Sequence, residues 1–389
     1  MNFEFKNIEF RNFFDIDLNK YDKKAIKVSF ISIVVMLLIS IISTILIKLN
    51  FDGVTRINIF SILLSFHLSA LKVKNMMVFS ISTVKIGIII LLIIPVIVLS
   101  ITNLFIYKRE FDSIKECMYE SFKIAFLYGM FLSVIAIFSR VKINMGIDAM
   151  FGFGYNNSTT IGYKLIYSFV NGFMIAFITS TILNWKKEFY GRYYFVDIVF
   201  SALKVFINLF VITLIITTIV SFTKNYTFSD FGLTTYSKGF GIVAYVVQIA
   251  SYLMIILSGG SVEIGDKSDS LSIFSVFNKS IFMDTKLIIF IVFSIFALTM
   301  ILIGSKIYKN YRYDNKKMIL HFSVFYSFFI SVISRFSAIS ISTSSIKSFS
   351  SFEIIAKSNP VLVFISAMIL SMIFLNIGYK ATEELEEYL

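Results

Sequence analysis

Ionisable and amide side chains set within long apolar runs are the residues of this chain best placed to do chemistry, because leaving them unpartnered in a bilayer is costly. Lys204 sits in such a run, with Asp197 seven residues earlier on the same helical face and Asn208 one turn later. Seven residues rise about 10 Å along a helix, too far for a direct ion pair. Lys204 is therefore either a pathway group or a cation that reaches the nearby bilayer surface. Its counterpart Lys27, at the mouth of an earlier apolar run, favours the second reading. His67, in Leu63-Leu64-Ser65-Phe66-His67, is either a proton or ion site or a ring bonded to a loop carbonyl, the plainer case. Gln248 and Tyr252 are the polar points of the corresponding later stretch, which leaves His67 without a twin. Glu263, Asp266 and Asp269 recur every third residue behind Gly259-Gly260. That is an oxygen-rich pattern suited to a hard cation, although it departs from an EF-hand and also fits a solvated loop. Asn171, Asn208 and Asn376 lie within apolar runs as interhelical hydrogen-bond formers.

Several chemistries are missing. Cys117 is the only cysteine, and His67 and His321 are the only histidines, so thiolate and His-rich metal sites are not expected. No G-x-x-x-x-G-K-[ST], H-E-x-x-H or G-x-S-x-G occurs, which argues against P-loop hydrolysis, zincin proteolysis and α/β-hydrolase chemistry. The chain reads as non-enzymatic, with no catalytic residue, cofactor or metal.

The elements that position these residues are membrane spans. The chain is 57% hydrophobic with mean hydropathy +0.83. Runs long enough to cross a bilayer are predicted at 28–47, 86–107, 124–139, 165–183, 195–220, 287–305, 318–334 and 360–378. The first lacks a small-residue cleavage pattern and reads as a span that stays. The net charge of +12 is better explained by membrane orientation and contact with anionic lipid at the cytoplasmic face than by nucleic acid. Pro95, inside a predicted span, is expected to kink it. Arg140 and Arg335 read as headgroup anchors, and Ser340–Ser351 as an exposed outer loop.

The chain also repeats itself. Ala25-Ile26-Lys27-Val28 returns as Ala202-Leu203-Lys204-Val205, Phe131-Leu132-Ser133-Val134-Ile135 as Phe329-Ile330-Ser331-Val332-Ile333, and Tyr107-Lys108 as Tyr308-Lys309. The repeat requires two shorter apolar stretches, 57–71 and 240–257, to behave alike, as re-entrant or interfacial helices. With the N-terminus in the cytoplasm, the inner segments then carry 19 Lys/Arg in 77 residues and the outer ones 15 in 153. The expected fold class is all-α: eight transmembrane helices in two parallel four-span repeats related by a pseudo-two-fold axis along the membrane normal. A leader covers 1–19, the first repeat 20–186 and the second 187–389. Both termini are expected in the cytoplasm of a bacterial inner-membrane protein.

Leu63-Leu64-Ser65-Phe66-His67, followed by Phe79-Ser80-Ile81-Ser82 and an apolar run with Pro95, resembles a segment of an actinobacterial polytopic family that includes the cell-division protein PerM. The stretch from Tyr245-Val246-Val247-Gln248 through Ser258-Gly259-Gly260 to Ser272-Ile273-Phe274-Ser275 resembles another segment of that family. The resemblance implies an envelope or division-associated membrane protein, a scaffold or a partner of other envelope proteins, and transfers no catalytic residue. The rival expectation is a transporter, channel or permease subunit with a pathway between the repeats.

Overall fold

The structure, a computed structural model, describes residues 22–50, 58–75, 80–107, 111–144, 158–223, 240–265, 270–276, 286–310, 315–345 and 352–387. Helix α1 (Asp22–Asn50) leads to the short α2 (Ile59–Phe66) and a hairpin, β1 (Leu71–Asn75) and β2 (Ser80–Lys85). Then come α3 (Ile93–Ile106), α4 (Ile114–Phe138), a second hairpin, β3 (Val141–Asn144) and β4 (Ser158–Tyr163), and α5 (Leu165–Glu188). The same kinds of element follow in the same order: α6 (Tyr194–Thr223), α7 (Phe240–Leu257), β5 (Ser261–Gly265), β6 (Ser270–Ser272) and the single turn α8 (Ile273–Val276). After these come α9 (Lys286–Asn310), α10 (Asn315–Phe336), β7 (Ile339–Ser345), β8 (Phe352–Lys357) and α11 (Pro360–Glu387).

Among the described residues, eight helices are long and apolar enough to cross a membrane: α1, α3 with its leading turn, α4, α5, α6, α9, α10 and α11. Each overlaps a predicted span, although α4 begins at Ile114 rather than 124 and α11 runs to Glu387 rather than 378, and the protein is a polytopic, mainly helical membrane protein. At eight residues, α2 reaches only about 12 Å, well short of a bilayer. Helix α7 has 18 residues.

The sequence reading did not foresee the sheet. Among the described residues, eight strands join one antiparallel sheet in the order β3-β4-β1-β2-β7-β8-β5-β6. Ile339–Ser345, placed within the expected serine-rich loop, is strand β7. Its Ile-Ser-Ile-Ser alternation is the period-two pattern of a sheet with one apolar face. The registers put Leu71, Val73, Val84, Ile161, Tyr163, Ile341 and Val262 on one face. Lys72, Lys74, Thr83, Lys85, Thr160, Ser340 and Lys357 lie on the other. The apolar face closes over the helix ends: Val262 is fully buried, and Tyr163 bonds Ser65 of α2 at 2.7 Å.

The two groups of elements meet differently from the expected two-fold. Such an axis would set like strands together at the sheet centre, β2 against β6. The centre instead pairs β2 with β7, Thr83 opposite Ser342 and Lys85 opposite Ser340, so the join runs head to tail. Gly87, just past β2, lies so close to the Phe336 and Ala338 carbonyls that an added Cβ would collide with them.

Below the first four strands, α1 packs on α3 and α4, and α5 packs on α3 and α4, closing a four-helix ring. In the second group α11 packs on α9 and α10, and α6 on α10. Helix α7 packs on α6, α9 and α10.

Candidate anion-binding site

Strand β1 reads Leu71-Lys72-Val73-Lys74, so alternation sends both lysines to the polar face while their neighbours turn toward the helices. Antiparallel pairing places Lys72 opposite Gly162 and Lys74 opposite Thr160 of β4. Arg140, which leads into β3, lies across Gly162; a Cβ there would come within 2.8 Å of Arg140 Cγ. The chain then passes Lys164 into the first turn of α5. These segments border a half-open groove of about 460 Å³, mostly apolar in the surface it presents, lined by Lys72, Lys74, Arg140, Thr160, Gly162 and the run Tyr163 to Tyr167.

Among the described residues the lining holds four cationic side chains and no carboxylate. Like charges held together raise the local potential until an anion occupies the space between them. Beside the groove, Lys85 of β2, Lys164 and Arg335 of α10 all stand over the Tyr167 ring, at 5.0, 5.4 and 5.6 Å from its centroid. The ring's quadrupole attracts each cation by up to about 1 kcal/mol at an exposed site, without cancelling any charge. No side chain caps the N-terminus of α5, so its first amides add partial positive charge at the same wall. The floor is amphipathic: Ile166, in the first turn of this membrane-length helix, is 76% exposed. A phosphate-bearing amphiphile matches both parts, its charge among the cations and its chain along α5.

The corner between α2 and β1 is a second polar centre, built by different means. His67 is fully buried. Its Nδ1 lies 2.8 Å from the Leu63 carbonyl, which can only accept, so Nδ1 carries the hydrogen. Nε2 is then the acceptor for the Tyr128 hydroxyl at 2.7 Å. Burial holds His67 down to about 4, so the ring stays neutral near pH 7 and serves as a fixed link between α2 and α4. Leu68 follows with φ +51, the only positive φ outside glycine among the described residues. Asn171 of α5 donates to the His67 and Leu68 carbonyls at 3.1 and 2.8 Å.

The corner between α7 and β5 has the same backbone. Ser258 stands where His67 does, and Gly259, at φ +87, where Leu68 does. Ser69 N to Leu64 O and Leu68 N to Ser65 O are matched by Gly260 N to Ile255 O and Gly259 N to Ile256 O, a Schellman closure in both cases. Counted from Phe131 and Phe329, Tyr128 and Tyr326 hold one place, and the Tyr326 hydroxyl lies 3.2 Å from Ser258 Oγ. His67, expected from sequence to stand without a twin, therefore has a spatial counterpart in Ser258.

The remaining residues singled out from sequence are scattered. Lys204 and Asn208 are exposed on α6. Asp197 accepts from Gly191 N at 2.7 Å and closes the turn between α5 and α6. Buried Gln248 donates to the Ser337 carbonyl at 2.7 Å, beside Tyr252 at 2.9 Å, tying α7 to the end of α10. Glu263, on β5, lies 3.9 Å from Lys357, whereas Asp266 and Asp269 lie outside the described residues. Pro95 falls in the first turn of α3, where a backbone N–H has no helical acceptor, so it removes no helical bond and marks the passage from a 3-10 turn into α-helix. Sequence reasoning passed over Lys72, Lys74, Lys164, Tyr128 and Tyr167. The signal for the two strand lysines was their alternation with Leu71 and Val73; nothing local marked the others.

No family model, curated protein or solved structure matches the chain.

Proposed function

We propose that this is a duplicated, non-enzymatic membrane protein of the bacterial cell envelope that holds a phosphate-bearing amphiphile against the outer bilayer surface. It would act as a scaffold or partner in a division or cell-wall complex, in keeping with its resemblance to the family that includes PerM. In this reading the two four-span units share one orientation in the inner membrane, with the termini cytoplasmic and the sheet outside. Helices α2 and α7 return to the side they came from. The higher Lys/Arg density of the inner segments supports that orientation. One observation carries the ligand class: among the described residues, four cationic side chains and no carboxylate border a single groove at the first turn of a membrane-length helix.

Native mass spectrometry of the purified full chain in detergent tests it, with phosphatidylglycerol, phosphatidylcholine and inorganic phosphate as probes. Phosphatidylglycerol should be retained over phosphatidylcholine, and Arg140→Ala with Lys164→Ala should weaken that retention about tenfold or more. Competition by inorganic phosphate would identify a free anion as the ligand and overturn the amphiphile. Equal retention of the two lipids, or full retention by the double variant, would overturn the site.

A further inference from the structure

The head-to-tail sheet leaves two edges, β3 and β6, each with one neighbour among the described residues. They are not arbitrary edges. In order and position β6 corresponds to β2, and β3 to β7, the two strands that pair at the centre of the sheet. Each edge is thus the counterpart of one side of a junction the protein already makes. We propose that β6 of one copy pairs antiparallel with β3 of a second copy, repeating the β2–β7 junction between chains. The proposal rests on the duplicated-unit reading.

The correspondence fixes a register. Val84 and Leu271 occupy like places, since each faces the matching residue of its hairpin, Leu71 and Val262 respectively. Val141 and Ile339 do likewise against Ile161 and Ala356. Transferring Thr83 opposite Ser342, Val84 opposite Ile341 and Lys85 opposite Ser340 sets Ser270 against Asn144, Leu271 against Ile143 and Ser272 against Lys142. The residue types agree at each step: two small polar residues, two apolar ones, and a Lys–Ser pair with its members exchanged. Unpaired edge groups drive such strand addition, and a contact between unlike surfaces can be repeated from copy to copy into a row or a ring. The bilayer permits it, because the displacement from one half to the other keeps every strand in one sheet.

The test places cysteines at the transferred pair. Across eight strands β3 and β6 of one chain lie about 34 Å apart, so Ser272→Cys and Lys142→Cys cannot bond within a chain. Cys117 is buried and stands apart from the reaction. Ser272→Cys and Lys142→Cys full-length chains, carrying different tags and co-expressed in membranes, should give under mild oxidation a band at twice the 44.6 kDa chain mass that holds both tags. Either single variant alone should stay at the monomer. Lys85→Cys with Ser340→Cys in one chain is the internal control, which should close an intrachain disulfide. Closure of the control without the mixed band would overturn the inter-chain pairing and leave the duplicated unit standing. Failure of both would remove the junction itself, and the proposal with it.

Discussion

The two halves of the molecule place like elements in like order, yet their closest helix crossings differ. In the first half α4 and α5 approach through Gly129 and Gly172; a Cβ on Gly129 would lie 2.8 Å from the Phe169 carbonyl. The corresponding places in the second half hold Ser327 and Ala367. There the tight crossing is α9 with α11, where a Cβ on Gly304 would strike the Leu375 carbonyl and one on Gly378 the Ile301 carbonyl. Counted from the matching Tyr-Lys pairs and helix starts, the first half has Asn103 and Leu183 at those places. In membranes, where lipid is as apolar as leucine, the distance of approach follows from the smallest side chains at a crossing. Each half thus has its glycine pair at a different crossing, and in the second half α7 lies between α6 and α9.

The same division runs through the polar sites. The first half gathers Lys72, Lys74, Arg140 and Lys164 around one groove. The places of Lys72 and Lys164 in the second half hold Glu263 and Asn359, and Glu263 is near Lys357. Among the described residues, the first-half cations meet no carboxylate in the groove, whereas in the second half Glu263 lies beside Lys357. The two halves share an order of elements, and a few differing residues gather the cations in the first alone.

Four substitutions, in two pairs, probe this contrast, beginning with the pair of largest effect. Gly378→Ala drives a methyl into backbone and should cost about 3 kcal/mol or more, whereas Gly172→Ala meets chiefly the flexible end of Leu132 and should cost about 1 kcal/mol. Thermal unfolding in detergent reads the difference, and equal losses would remove the packing contrast. Asn171→Ala strips two carbonyls at the buried His67–Leu68 corner of their donor and should cost about 2 kcal/mol. Its counterpart change, Ser366→Ala, touches only a bond within its own helix and should stay within about 0.5 kcal/mol.

Acid distinguishes the two corners more gently. His67 falls from 6.5 in the unfolded chain to about 4 when folded, so between those values the unfolded chain takes up a proton that the folded one refuses. Stability should therefore decline as pH falls through that window, by about 1 kcal/mol at pH 5.5 and about 3 kcal/mol below pH 4. His67→Gln should flatten this part of the profile; an unchanged slope would show that the corner is not its source. Ser258 has no such titration.

Much of the helical frame was legible in the chain, because a bilayer admits few solutions and runs near Val28, Ile124 or Pro360 announce themselves by length. The strands were harder. Lys72 and Lys74 alternate with apolar neighbours over only one short stretch, and their pairing partners lie some ninety residues away at Thr160 and Gly162. Tyr128 gave no local sign of its role, since its partner His67 arrives from another element. Lys204 drew attention by sitting in an apolar run, yet the faces of α6 left it exposed.

By itself the sequence determined the number and order of the spans, the uneven distribution of charge and the recurrence of segments, because each depends on hydropathy and spacing along one chain. Tertiary structure decided which edges of the hairpins meet, which glycines touch backbone and which cations share a groove. Those outcomes depend on hydrogen-bond register and helix rotation, which bring together residues that no local pattern connects.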